Sequence, residues 1–229
     1  MRADLLARAG WFVPAAAPIA APVARLCRIP RRLDSAHGIA LTFDDGPHPE
    51  GTPAVLDVLA GVGARATFFL VGEQVARYPA VAAEIAAAGH EIAIHGYRHV
   101  LLLRRAPSAL RRDFVRAHDV IATATGTEPT LYRPPYGVFS GPALQIAREL
   151  GWRTLLWSRW GRDWERRATP EKIAARASRS LTGGDVVLLH DADHYSSVGS
   201  WRRTVAALPS ILDAVSASGE SLVSASQST

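Results

Sequence analysis

From residue 39 onward the chain alternates short, almost wholly apolar runs with longer amphipathic ones. Apolar β-favouring runs of this length, bounded by glycine or turn residues, read as strands buried on both faces. The pattern predicts strands over residues 39–43, 66–71, 91–94, 131–133, 153–157 and 185–189, with 221–223 as a final short one. Helices are predicted between them. One spans 52–61, with Thr52 as N-cap and Pro53 at its first position; another spans 79–88 and is closed by Gly89. Others span 108–124, ended at Gly126; 141–150, stopped by Gly151; 169–181, capped by Thr169; and 203–215. About seven strand–helix units without an internal linker predict one α/β domain, a parallel sheet covered by helices, open or closed as a barrel. No internal repeat interrupts the series.

Polar residues stand where these runs end. The first strand runs into Asp44 and Asp45, and Gly46-Pro47 stops it. Two adjacent carboxylates at a dry strand end repel each other. The pair is tolerable if one binds a metal and the other shares a proton or pairs with a cation; the alternative is an Asp-Asp-Gly-Pro surface turn. His95, Arg133 and His190 stand at other strand ends, with Asp163 a little past its strand. Parallel barrels place their active sites at the C-terminal ends of strands. His95 and His99 are four apart, which one helical turn brings onto one face. With a carboxylate from another strand they form a two-histidine, one-acid set that leaves positions open for water and substrate.

Composition narrows the classes without choosing among them. The 229 residues are 48% hydrophobic and 21% charged, which excludes wholesale disorder. The formal charge is +5, but the arginines are scattered along helix-like segments and Lys172 is the only lysine, so no nucleic-acid partner is expected. Cys27 is the sole cysteine, which rules out an intrachain disulfide, and is expected to be buried rather than reactive. No apolar stretch reaches the ~18 residues of a spanning helix. Residues 11–23 are Ala/Pro-rich and follow Arg2 and Arg8, yet prolines break them up. They read as part of a lead-in (1–36) that packs on the domain or lies on a surface, ahead of a catalytic domain (37–224) and a flexible tail (225–229). A cytoplasmic or peripherally membrane-associated location is favoured over secretion. His48, His90 and His118 are expected to be satisfied locally, Asp191, Asp193 and His194 to be loop residues, with substrate contact open for His194. Gly61-Val62-Gly63 lacks the third glycine of a dinucleotide site.

In combination these residues carry a family resemblance. The chain resembles the polysaccharide deacetylases of the NodB-homology type, carbohydrate esterase family 4, whose signature is five short motifs in fixed order. Thr42-Phe43-Asp44-Asp45-Gly46-Pro47 matches the first completely, and His95-Gly96-Tyr97-Arg98-His99 the second, with Gly96 where Ser or Thr is usual. Arg133-Pro134-Pro135-Tyr136, Asp163-Trp164 and Leu188-Leu189-His190 match the third, fourth and fifth. The resemblance implies a distorted (β/α)7-type barrel that hydrolyses N-acetyl, or O-acetyl, groups on a carbohydrate. Asp45, His95 and His99 would hold a divalent metal, zinc by resemblance, with cobalt or another divalent ion as alternatives. Asp44 would be the general base toward water, Arg133 its partner, and His190 the general acid for the leaving amine. Asp163 would orient His190; the Tyr136 backbone N–H would help hold the oxyanion, beside Pro135, and Trp164 with Leu188 would receive the acetyl methyl. The implied partner is an N-acetylated sugar, oligosaccharide or glycoconjugate, with no stable protein partner. A metal-dependent amidase on a non-sugar substrate and a non-catalytic sugar-binding barrel are the competing readings.

Overall fold

Seven short strands form one all-parallel sheet in the computed structural model, which describes residues 10–226. They are β1 (Ala40–Asp44), β2 (Thr67–Leu70), β3 (Glu91–Ile94), β4 (Leu131–Tyr132), β5 (Arg153–Thr154), β6 (Arg159–Trp160) and β7 (Val186–His190). Their spatial order is β5-β4-β3-β2-β1-β7-β6. Every residue of β1 and β2 is buried, as expected for central strands covered on both faces. Phe43 stacks on Phe68 with ring centroids 5.1 Å apart, tying those two strands together on one face.

Helices α1 (Ala21–Leu26), α2 (Gly51–Gly61), α3 (Gly72–Arg77), α4 (Pro79–Ala87), α5 (Pro107–Thr125), α6 (Gly141–Glu149), α7 (Pro170–Ala177) and α8 (Ser200–Ala217) wrap the sheet. Each apolar stripe faces inward: Leu110, Phe114, Ala117 and Ile121 are the buried positions of α5, at the 3- and 4-residue spacing of one helix face. Gly126 ends that helix in the left-handed conformation and returns its N–H to the Ala122 carbonyl.

The sheet does not close through a strand pair. β5 and β6 are consecutive in sequence but occupy opposite edges, and residues 155–158 cross between them. The Leu155 N–H donates to the Tyr132 carbonyl and the Ser158 N–H to that of Val186. The lead-in fills this seam: the Leu156 N–H donates to Pro30 O at 2.9 Å, Arg31 Nε to Trp157 O at 3.1 Å, and the Leu33 N–H to Gly184 O at 2.9 Å. Buried Asp185 fastens the seam by accepting from Arg32, from Arg159 Nε at 3.2 Å and from Ser158 Oγ at 2.7 Å. Burial opposes ionisation of Asp185, but those hydrogen bonds and the two guanidinium groups hold its carboxyl below its ordinary value.

Several boundaries depart from the sequence reading. The strand expected over 153–157 ends at Thr154, because the chain there turns across the seam and starts β6 instead. Thr52 does not cap α2; the helix begins at Gly51 with no side-chain cap, and Thr52 Oγ1 accepts from the His48 N–H while donating to Asp191. The six-residue α3 was not legible, since its buried positions include Gly72 and Gln74 alongside Val75 and leave no apolar period. The helix expected over 169–181 stops at Ala177, with Thr169 as its cap. Residues 221–223 contribute only a bridge from Leu222 to Ile39. Within residues 225–229, Ala225 is buried and its N–H donates to Thr67 Oγ1 and Glu91 Oε2; residues 227–229 lie outside the described residues. Among the described residues, no helix is long and apolar enough to cross a membrane.

Candidate active site

The C-terminal ends of β1, β3, β4 and β7 open on one pocket of about 270 Å³. Asp44 is the last residue of β1, and Asp45 follows with φ +78°. Neighbouring side chains of an extended strand point to opposite faces. The left-handed turn at Asp45 breaks that alternation and lets both carboxylates line the same pocket. Such a backbone costs an L-residue about 1–2 kcal/mol, and aspartate tolerates it better than most.

His95 and His99 meet, but not through a helical turn as the spacing suggested. The segment between them is a loop in which Gly96 has φ +88°, a conformation that L side chains rarely adopt. His99 Nε2 lies 3.1 Å and His95 Nε2 3.4 Å from Asp45 Oδ1. Among the described residues, Asp45 Oδ1 is buried with no hydrogen-bond partner. His95 Nδ1 stands 2.8 Å from the Arg133 carbonyl; donation to that oxygen places the His95 proton on Nδ1 and leaves a lone pair on Nε2. Two imidazole nitrogens and an orphaned carboxylate oxygen thus converge without sharing a hydrogen bond. That donor set fits a divalent cation of the kind bound by nitrogen and oxygen ligands. Burial opposes ionisation of Asp45, yet both histidines and the His190 charge hold its carboxyl well below the usual carboxylate range.

Arg133 is fully buried behind Asp44. Its NH1 donates to Asp44 Oδ1 at 2.7 Å and Thr42 Oγ1 at 3.0 Å, its Nε to Leu155 O and its NH2 to Leu156 O, while its guanidinium lies 3.9 Å over the Phe69 ring. Asp163, also fully buried, accepts from three sides: His190 Nδ1 at 2.8 Å, the His190 N–H at 2.7 Å and Thr204 Oγ1 at 2.8 Å. Burial alone would push the His190 imidazole down. The Asp163 charge and hydrogen bond, with Asp45 and Asp44 behind them, reverse this and lift it to about 10.

The pocket wall is made by Tyr136, Gly137, Trp157, Trp160, Trp164, Leu188 and, from the segment after β7, Tyr195 and Ser196. Of the residues expected at the substrate, Tyr136, Trp164 and Leu188 line the pocket. Pro135 is buried and does not line the pocket, and Arg133 and Asp163 act on it only through Asp44 and His190. Trp157, Tyr195 and Ser196 were missed, because no spacing marks a loop that folds back over a site.

Asp191 is a loop residue, as read, but not a solvated one. It is completely buried with Oδ1 unpartnered, burial pushes its carboxyl up to about 7, and it accepts from Thr52. A Cβ at position 46 would collide with its carboxyl group, so only glycine fits over it. Asp191 thereby supports the turn that carries Asp44 and Asp45 from below.

The other histidines are local. His48 Nδ1 accepts from the Glu50 and Gly51 N–H groups, which puts its proton on Nε2, 3.3 Å from Asp193. His48, Asp193 and His194 cluster, but the Nε2 of His48 is thus occupied by a proton rather than offered to a cation. His194 packs against His48 and Tyr78 and its Nε2 reaches Pro47 O; it does not line the pocket. His90 Nδ1 accepts from the Ala66 N–H, and His118 stands beside Asp119 and Glu128; Cys27, expected to be buried, is only partly so, and burial pushes its thiol up.

A parallel half-barrel with a two-histidine, one-carboxylate cluster and a carboxylate-backed histidine at its strand ends has the groups that metal-assisted hydrolysis needs. A family model described as polysaccharide deacetylase matches residues 32–155, and the chain belongs to that family. It is 37% identical over 191 residues to a Bacillus cereus peptidoglycan-N-acetylglucosamine deacetylase, covering 82% of this chain and 86% of that one. It is 32% identical over 199 residues to an Azorhizobium caulinodans chitooligosaccharide deacetylase, covering 84% and 94%. A crystal structure of a peptidoglycan N-acetylglucosamine deacetylase with 4-naphthalen-1-yl-N-oxidanyl-benzamide superposes with a TM-score of 0.78 at 30% identity, over 86% of this chain and 89% of that one. The protein is a carbohydrate deacetylase, a hydrolase of carbon–nitrogen bonds other than peptide bonds, from a metal-dependent family.

Proposed function

We propose that the chain removes the N-acetyl group from N-acetylglucosamine units of a glycan of the peptidoglycan or chitooligosaccharide kind, with Asp45, His95 and His99 holding zinc. One observation carries this reading: the Asp44–Arg133 and Asp163–His190 pairs flank the Asp45, His95 and His99 cluster on one pocket. Bound there, a divalent cation polarises a carbonyl and makes water acidic enough to attack near neutral pH.

The chain's own residues supply the remainder. Arg133 binds Asp44 Oδ1 and leaves Oδ2 toward the pocket, where it takes the proton of the attacking water. The water oxygen adds to the acetamide carbon, and the Tyr136 N–H donates to the oxygen that gains charge. The carbon–nitrogen bond then breaks, with His190 Nε2 giving its proton to the departing amine and acetate leaving. Asp163 on Nδ1 keeps that proton on the pocket side of the ring. Trp164 and Leu188 receive the acetyl methyl. A 270 Å³ pocket lies below the roughly 300–1,000 Å³ of sites that enclose a whole ligand, so it suits one acetamido sugar with the rest of the glycan outside.

Acetate release would be measured on N-acetylglucosamine oligomers, peptidoglycan fragments and small N-acetylated glycosides, after chelation and return of zinc or cobalt. The expected result is metal-dependent release that Asp44→Asn abolishes. Release indifferent to chelation, or retained in Asp44→Asn, would overturn the assignment of these roles.

A further inference from the structure

His95 and His99 are held in place by different means. His95 is oriented by its Nδ1 at the Arg133 carbonyl, the usual way in which a ligating imidazole is fixed. His99 Nδ1 is buried and, among the described residues, has no hydrogen-bond partner at all. It also sits at the end of an irregular loop that contains Gly96. Left to the loop, its ring could rotate about two side-chain torsions.

Packing supplies what the hydrogen bond does not. The Tyr195 ring stacks on the His99 ring with centroids 4.2 Å apart and planes 11° from parallel, and the Tyr136 ring meets His99 edge-on at 4.5 Å. Tyr195 is itself fixed at its far end: its hydroxyl donates to Glu73 Oε1 at 2.7 Å and accepts from Gln74 Nε2 at 2.8 Å. Both anchors belong to the first turn of α3, whose backbone also grips the His95–His99 loop. The Gly72 N–H donates to Gly96 O at 2.9 Å and the Glu73 N–H to Tyr97 O at 2.8 Å. One helical turn therefore secures the loop through its backbone and the stacking ring through its side chains.

We infer that Tyr195, anchored by Glu73 and Gln74, is a positioning residue that fixes the His99 imidazole for the metal. This rests on the reading of Asp45, His95 and His99 as ligands. The stack is preformed, so no ring ordering remains to be done when the cation arrives, and its loss weakens binding as other outer-shell losses do, by roughly 10–100-fold.

The test is zinc affinity by competition with a chromophoric chelator, on the full chain, for wild type, Tyr195→Phe and Tyr195→Ala, with circular dichroism of the chelated proteins to compare their folds. Tyr195→Ala is expected to lose roughly 10–100-fold in affinity, and Tyr195→Phe, which keeps the ring but not its anchor, a smaller factor. With cobalt in place of zinc, Tyr195→Ala should also show altered visible absorption bands, which a change confined to substrate binding would not produce. Wild-type zinc affinity and an unaltered cobalt spectrum in Tyr195→Ala would overturn the inference while leaving the ligand assignment intact. Failure of the wild type to bind zinc would remove the ligand assignment, and this inference with it.

Discussion

Arg133→Met tests whether the buried Asp44–Arg133 pair is held as tightly as its geometry demands. Methionine keeps most of the stem's packing beside Phe69 but removes every donor. Asp44 would lose the guanidinium that donates to it at 2.7 Å, and the Leu155 and Leu156 carbonyls would lose their donors, all in a site with no accessible surface on the arginine. Breaking a buried pair from one side costs about 3–5 kcal/mol, because the remaining charge is left uncompensated. For a chain of this size that corresponds to a fall of roughly 6–20 °C in Tm. Asp44→Asn on its own strands the guanidinium instead. The double variant Asp44→Asn/Arg133→Met leaves neither charge, so its cost should fall short of the sum of the two singles by at least about 1.5 kcal/mol. Urea unfolding with chelator present keeps metal binding out of the comparison. An Arg133→Met loss below about 1 kcal/mol, or additive single variants, would refute the reasoning.

Asp163→Asn should lower kcat for deacetylation by roughly 10²–10⁴ with little change in KM, since it disturbs the orientation and proton of His190 and leaves the substrate walls alone; steady-state acetate release reads both constants. Burial lowers the His90 imidazole to about 4, so the unfolded chain binds its proton more readily; stability from this residue is complete above about pH 6.5 and declines as pH falls toward 4. The loss is about 2 kcal/mol, less than the full linkage because the ring edge stays near solvent, and urea midpoints of wild type and His90→Gln from pH 4 to 7 should converge on the acid side. Saturating zinc at 100 times its Kd should stabilise the chelated protein by about 2.7 kcal/mol, visible as a concentration-dependent Tm that Asp45→Asn abolishes.

The alternation of apolar runs and the polar residues at their ends were legible because a buried parallel strand has to be apolar and has to stop where its carbonyls meet solvent. Asp44, Asp45, His95, Arg133 and His190 stood out for being expensive to place there. What was not legible follows from the same physics. Nothing in the spacing of His95 and His99 distinguishes a helical turn from a loop bent at a left-handed glycine, and both bring the rings together. Asp191 beside His190 reads as an ordinary loop acid until Gly46 is seen lying on it. Tyr195 reaches His99 across 96 positions of chain, a contact that only the folded α3 makes possible. The crossing at residues 155–158 was hidden because Leu155, Leu156 and Trp157 are as apolar and as buried as strand residues, while the Leu156 N–H and Trp157 carbonyl bond the lead-in instead of a neighbouring strand.

That seam also sets the order of events during synthesis. The lead-in leaves the ribosome well ahead of its partners: Arg32 meets Asp185 at a separation of 153 residues. Closing contacts so distant in sequence is slow, because the loop-closure entropy is lost before the contact returns anything. A nascent chain therefore carries residues 29–33 undocked until residues 156–185 have been made, and the crossing between β5 and β6 gains its backbone partners only then. A trimmed chain beginning at residue 34 would never complete that step. The Leu156 N–H and the Trp157 and Gly184 carbonyls would lose their partners, so the expected signature is aggregation on refolding rather than a smaller soluble enzyme.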